Sequence, residues 1–317
     1  MPAAHRHAGF VVVLPARSRI AAVLEEHAGW LLHGDVRRTE PARETLLEVL
    51  DALDSPLPRS LAALRLWGQT GERPREWVAA ADPVHLQAMR DHLRLHAIPQ
   101  YGLAADECAQ LHEALQSLLD RPPQRILRVG RDFYVIGGNS FATAAQSPAG
   151  VEGRAPDAFL PSGEGAAGHD RLIGELQLLL HAHDINRLRS ERGEPQINSI
   201  WFWGGGEAPS REDGALPPLI ADDPLFIGCW RSRGAAVSSW PDTADDALRL
   251  AAGAGVAVLP DSASASDASR LLAGLRRGLL RGRWPRLRVI FRDEWQVALV
   301  RGRLLRFWRA APPEGWT

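Results

Sequence analysis

The stretch HAHDINRLRSERGEPQINSIWFWGGG, residues 181–206, decides how the rest of the chain is read, because it joins a helix end, a polar turn, an apolar strand and a glycine run. Upstream, Leu172, Leu176, Leu179, Leu180 and His183 recur at i, i+4, i+7, i+8 and i+11, the spacing of one stripe on an amphipathic helix. That spacing sends His183 toward the core. The turn Arg192-Gly193-Glu194-Pro195 breaks the helix, and residues 197–203 then read as a strand apolar on nearly both faces, central and covered. The strand runs into Gly204, Gly205 and Gly206. There the missing side chains admit a ligand or another backbone and let successive N–H groups point at an anion.

Outward from this block, residues 10–14 fit a buried first strand and residues 20–32 a helix. Residues 41–53 and 57–67 read as two more helices, the first with Leu46, Leu47, Val49, Leu50 and Leu53 on its apolar face. The charged, proline-bearing joint GERPRE, residues 71–76, marks a boundary. Cys108, Leu111, Leu115, Leu118 and Leu119 share one helical face, and residues 125–138 read as a hairpin around Gly130-Arg131-Asp132. Residues 139–168 and 207–218 are loose connections. A helix over 244–250, a strand over 255–259, a helix over 267–280 and a strand pair, 287–291 with 295–300, close the chain.

With 317 residues, 45% hydrophobic and 24% charged, the chain can bury one large core or two smaller ones. A formal charge of −1 argues against a wholesale nucleic-acid or membrane-surface binder. Residues 270–309 do hold twelve arginines against Asp293 and Glu294, but the interspersed Leu, Val and Phe place them on the solvent side of amphipathic elements. The sequence contains no lysine, which excludes a lysine Schiff base and a Walker-type phosphate loop. Cys108 and Cys229 are too few for a disulfide scaffold. No apolar run approaches the roughly 20 residues of a membrane span, and residues 1–9 lack a signal-peptide core, so a cytoplasmic location is expected.

The opening block resembles the RpfE-type regulatory-protein family of bacteria and, more distantly, the archaeal-type cofactor-independent phosphoglycerate mutases. The resemblance rests on His183, Asn186, Arg189, Gly193, Pro195, Asn198, Trp201, Trp203, Gly204 and Gly206, with Asp184 standing where both families have proline. WVAAADPVHL, residues 77–86, and LLRFWR, residues 304–309, resemble two further segments of the RpfE-type family. The resemblance covers residues 65–310. It implies a mixed α/β fold, a mixed sheet flanked by helices, with an alkaline-phosphatase-like remnant core built from residues 1–70 and 241–317. Residues 71–240 would form an inserted α+β lobe that binds the ligand.

Mutases of this type use a seryl or threonyl nucleophile beside two divalent metals held by Asp and His, the first strand delivering an aspartate and an Asp-His pair coming late. Here residues 10–14 run into Pro15-Ala16-Arg17 with no carboxylate before Glu25, and no histidine follows His183. The two-metal set is therefore expected to be missing, and no metal or other cofactor is expected. His181 and His183, at i and i+2, do not share a helix face as an i, i+4 zinc pair would. Asp82 and His85 read either as an acid and base at a cleft mouth or as a turn carboxylate and a packed histidine. His183, Asn186, Arg189, Asn198, Gly204, Gly205 and Gly206 form the candidate ligand set. An arginine fork and amide donors suit phosphate or carboxylate, while the competing reading is helix capping and satisfaction of a buried strand. If the first holds, Arg189→Ala weakens an anionic ligand and leaves the fold nearly as stable. Trp201 and Trp203 share one covered strand face and read as core. The resemblance and these residues together imply a noncatalytic, mutase-like protein that binds an anionic, phosphorylated small molecule in a regulatory role. The alternative is an active cofactor-independent mutase or phosphatase with relocated metal ligands.

Overall fold

The run FVVVL has no polar residue to place at a surface. In the computed structural model, which describes residues 9–98, 102–138, 140–163, 166–211, 216–251, 253–304 and 313–316, it forms the wholly buried strand β1 (Phe10–Leu14). There follow α1 (Ala21–Leu31), β2 (Asp35–Arg38) and α2 (Thr45–Ala52). The middle of the chain supplies α3 (Leu61–Thr70), β3 (Trp77–Ala88), β4 (Leu93–Ala97), α4 (Ala105–Leu119), β5 (Arg125–Val129) and β6 (Asp132–Ile136). After these come α5 (Pro148–Val151), α6 (Ala166–His181), α7 (Asp184–Glu191) and β7 (Ser199–Glu207). The last third holds β8 (Leu219–Ile220), α8 (Pro224–Ser232), β9 (Val237–Ser238), α9 (Ala244–Leu250) and β10 (Gly255–Val258). It closes with α10 (Ala265–Leu280), β11 (Arg286–Phe291), β12 (Trp295–Val300) and α11 (Arg301–Leu304).

The chain divides into two units, residues 1–57 with 211–317, and residues 58–210. These joins differ from the 70/71 and 240/241 of the sequence reading. The physical reason is packing: α3 lies on β3 and β7 of the second unit, and β8 and β9 complete the sheet of the first.

The first unit is built on a seven-stranded sheet in the order β2-β12-β11-β1-β10-β8-β9. β1 runs parallel to β10 and β11, whereas β12 and β2 add antiparallel strands at one edge. Strand alternation sends Phe10, Val12, Leu14, Leu287, Val289 and Phe291 into one core with α1, α9 and α10, where Trp284 stacks on Phe10 at 5.0 Å. Val11, Val13 and Ile290 point to the other face, which α2 covers with Leu46, Val49 and Leu50.

The second unit turns on β3. It pairs antiparallel with β7 from Trp77 to Val84, and on its other side first with β6 and then with β4. One sheet face, with Ala81, Phe133, Val135, Ile200 and Phe202, packs on α4, α6 and α7. The opposite face carries Ala80, Asp82, Tyr134, Trp201 and Trp203 beneath α3. The glycine run lies inside β7, not in a loop beyond it. A Cβ at Gly204, where φ is +64°, would sit 2.8 Å from the Ala62 nitrogen, and one at Gly205 would sit 2.8 Å from Thr143 Oγ1 and from Trp77. Glycine is thus required so that the first turn of α3 can approach the strand. Among the described residues no helix is long and apolar enough to cross a membrane. Apart from Leu304, the LLRFWR segment lies outside the described residues.

Candidate functional site

Open α/β sheets place ligands at the carboxyl ends of their strands. In the first unit that edge carries Arg17 after β1, Asp222 and Asp223 after β8, Asp261 after β10, and Arg292 with Asp293 after β11. Arg292 Nη2 donates to Asp223 Oδ2 at 2.9 Å, and its Nε lies 3.5 Å from Asp261 Oδ1. Burial opposes the Arg292 charge, but Asp223 and then Asp261 outweigh it and hold the guanidinium above its ordinary range. The other oxygen of Asp223 caps α8, accepting from the Leu225 and Phe226 amides at 3.0 and 3.4 Å. Asp293 Oδ2 accepts from the backbone N–H and Nε of Arg17, whose guanidinium lies over the Trp295 and Trp316 rings at 4.7 and 5.1 Å. Asp222 accepts from the Trp240 amide at 3.0 Å.

This edge has the acidic residues of a cation site, but arginine side chains sit among them. Two divalent ions need several Asp and His donors free to converge. Among the described residues no group of three or more His, Cys, Asp or Glu could hold a metal ion. With Arg292 lying on Asp223 and Asp261, the donor set at this edge does not fit the two-metal centre that the mutase resemblance implies. Sequence reasoning missed Arg292 because its partners are 69 and 31 positions away, 223 and 261 against 292.

The block at residues 181–206 is engaged in internal bonds. His183 does not continue the stripe of α6: the helix stops at His181, and half-buried His183 caps α7, its Nδ1 accepting from the Ile185 amide at 3.2 Å. Asp184 is then the first residue of α7, a position that favours proline and acidic residues alike, which accounts for the exchange at this site. Asn186 is buried and donates to the Leu180 and Ile197 carbonyls at 2.8 and 2.7 Å while accepting from the Ile197 amide at 2.7 Å. Asn198 brackets Leu86, accepting from its N–H at 2.7 Å and donating to its carbonyl at 2.9 Å. Arg189 is buried, donating to the Pro195 carbonyl at 2.7 Å and to both oxygens of Glu107 at 3.1 and 3.0 Å. These groups clasp α7 to β7 and α4, and Gly204, Gly205 and Gly206 face α3 and Thr143. The capping and satisfaction reading describes these bonds, with Arg189 Nε taken by the Pro195 carbonyl and its Nη1 by the Glu107 carboxylate.

Asp82 and His85 do not meet as an acid and base. Three residues apart on one strand, they point to opposite faces. Asp82 receives a bidentate pair from Arg65 at 2.9 and 2.8 Å and a third bond from Trp203 Nε1 at 2.7 Å. His85 Nδ1 lies 2.9 Å from the Gln196 carbonyl, and the ring stacks on His96 at 6.3 Å. The Arg65 guanidinium also donates to Tyr134 Oη at 2.8 Å and lies over the Tyr134 and Trp203 rings at 4.8 and 5.1 Å. Asp132 adds a second carboxylate 3.6 Å away. Burial opposes the Arg65 charge, and Asp82 above all restores it, leaving its pKa well above the ordinary range. The signal for this network was present in the sequence, since Arg65 is the one charged residue in the helix LAALRLWGQT and must find a partner if it is covered.

No family model matches the chain. Over 128 residues it is 42% identical to a probable 2,3-bisphosphoglycerate-independent phosphoglycerate mutase of Geobacter sulfurreducens, covering 40% of this chain and 32% of that protein. Over 80 residues it is 36% identical to the 2,3-bisphosphoglycerate-independent phosphoglycerate mutase of Methanosarcina mazei, covering 25% of this chain and 20% of that protein. The matches thus span about a third or less of these relatives, 32% and 20% of their lengths. The solved cofactor-independent phosphoglycerate mutase from Thermoplasma acidophilum aligns over 93% of this chain and 90% of its own, with a TM-score of 0.38 and 14% identity. The chain is distantly similar to the cofactor-independent phosphoglycerate mutases.

Proposed function

We propose that this chain is a mutase-like protein of RpfE type that binds an anionic, phosphorylated small molecule in a regulatory role and does not carry out metal-dependent phosphoryl transfer. The observation that carries this reading is Arg292, whose cation lies 2.9 Å from Asp223 and 3.5 Å from Asp261 at the strand ends. A guanidinium neutralises those carboxylates, yet it is a poor Lewis acid and generates no metal-bound nucleophile. The regulatory role is supported by the resemblance of residues 77–86 and 181–206 to the RpfE-type family.

The test is direct. Purified protein is incubated with manganese, zinc or magnesium, desalted, and assayed for bound metal and for interconversion of 3- and 2-phosphoglycerate. Neither stoichiometric metal nor turnover is expected. Turnover that a chelator abolishes would overturn the reading in favour of an active mutase with ligands drawn from elsewhere in the chain.

A further inference from the structure

We propose that a cleft on the α2 side of the first unit's sheet binds a small molecule carrying phosphate or carboxylate groups, with Arg288 as the anchoring cation. The cleft measures about 810 Å³ and lies at the amino ends of β1 and β11, away from the carboxyl-end arginines. That volume is within the range of small-molecule sites. Its floor is apolar, formed by Val11, Ala298 and Val300, and its wall is the end of α2 with Leu53 and Asp54.

The cations of the cleft are not held in ion pairs. Strand alternation brings Arg286 and Arg288 to the same face of β11, and Arg303 of α11 lines the same space. Arg288 is partly buried, and its hydrogen-bond partner is the neutral Gln296 Oε1 at 3.2 Å. None of the three arginines has an ion-pair partner among the described residues. Of the lining carboxylates, Asp35 is taken by Arg37 and Asp51 by Arg43, each at 2.6 Å, and Asp54 is exposed. Burial, and then the nearby Arg37, hold the Arg288 guanidinium below its ordinary range, against the opposing influence of Asp54 and Asp35.

The chemistry selects the ligand class. A planar guanidinium fork matches phosphate and carboxylate oxygens in pairs, and the apolar floor suits a short carbon body. This deepens the binding reading above by giving its anionic ligand a place, and it stands apart from whether any turnover exists.

The test uses the full chain at low ionic strength, with calorimetry and thermal melting as readouts. The probes are 3-phosphoglycerate, glycerol 3-phosphate and glycerate, which separate phosphate from carboxylate recognition, against sodium chloride of equal ionic strength. Wild type is expected to bind at least one probe and to melt higher with it than in chloride. Arg288→Met should weaken that binding by roughly tenfold or more, one charge-assisted pair, and melt no lower than wild type without a probe. Arg286→Gln and Arg303→Gln change exposed or rim positions that cannot unfold the sheet, and each should weaken binding by a smaller factor. Arg276→Gln, an exposed arginine of α10, should bind as wild type does. The proposal is overturned if no probe exceeds chloride, or if Arg288→Met and wild type bind alike. Parallel assay of phosphoglycerate interconversion keeps its failure distinct: turnover would refute the noncatalytic reading and leave the cleft untouched.

Discussion

Replacing Arg292 by methionine should leave Asp223 and Asp261 at the carboxyl edge of the first sheet without their cation, so that they draw in a divalent ion from solution. Methionine keeps the aliphatic bulk and removes only the charge, so Asp223 and Asp261 are left facing a neutral side chain. A unit ion pair about 3 Å apart at an effective dielectric near 20 is attracted by roughly 5–6 kcal/mol. Most of that is offset by lost hydration, although each side chain of the 2.9 Å pair is still 23% exposed. The case lies between an exposed pair, worth about 0–1 kcal/mol, and a broken buried pair, which costs about 3–5 kcal/mol. A loss of about 2 kcal/mol in denaturant unfolding is therefore expected. The decisive part is the response to manganese. A divalent ion that binds only the folded variant returns about 2.7 kcal/mol at a hundredfold excess over its dissociation constant. Millimolar manganese should raise the melting midpoint of Arg292→Met and leave wild type unmoved. Equal responses in the two proteins, or a variant as stable as wild type without metal, would show that Arg292 is not the internal counter-ion of Asp223 and Asp261.

Arg189→Ala should destabilise by about 3 kcal/mol, because it strands Glu107 at 5% side-chain exposure with only Arg192 left to pair it; urea unfolding with a loss below about 1 kcal/mol would contradict a buried pair. This reverses the near-neutral effect read from sequence alone. Arg65→Met leaves Asp82 and Asp132 without their shared cation and should cost about 3–5 kcal/mol, part of which Asp82→Asn restores in the double variant; strict additivity in that cycle would mean the two side chains do not interact. Glu48 is buried, and burial raises its pKa from 4.5 to about 7. Below pH 4.5 both folded and unfolded forms are protonated, and between 4.5 and 7 only the unfolded form ionises, so stability falls by about 1.4 kcal/mol per pH unit across that window. Glu48→Gln should flatten this slope, as a pH series of melting curves would show, and an unchanged slope would reassign it to other groups.

The elements that could be read from the sequence are those whose evidence is local. FVVVL can only be buried, Cys108, Leu111 and Leu115 mark a helix by their spacing, and the Gly130 turn pairs residues adjacent in the chain. β3 was less legible, since WVAAADPVHL mixes alanines and a proline whose strand character depends on β7, more than 110 positions later at the Asp82–Trp201 pair. The polar block at residues 181–206 shows where such reading stops. Its residue types are those of an anion clamp, and they are equally those of a clasp around a buried helix end, because both tasks ask for directional donors in a dry place. What separates the two is the partner, and the partners are distant: Glu107 is 82 positions before Arg189, and Leu86 is 112 before Asn198. A carboxylate belonging to the chain takes the Arg189 Nη1 that a ligand carboxylate would seek. Arg288 presents the opposite case, a cation with the same chemistry whose ion-pair partner is missing among the described residues. Its residue type alone could not reveal this, since the sequence states which charges exist and only the fold states which remain unneutralised.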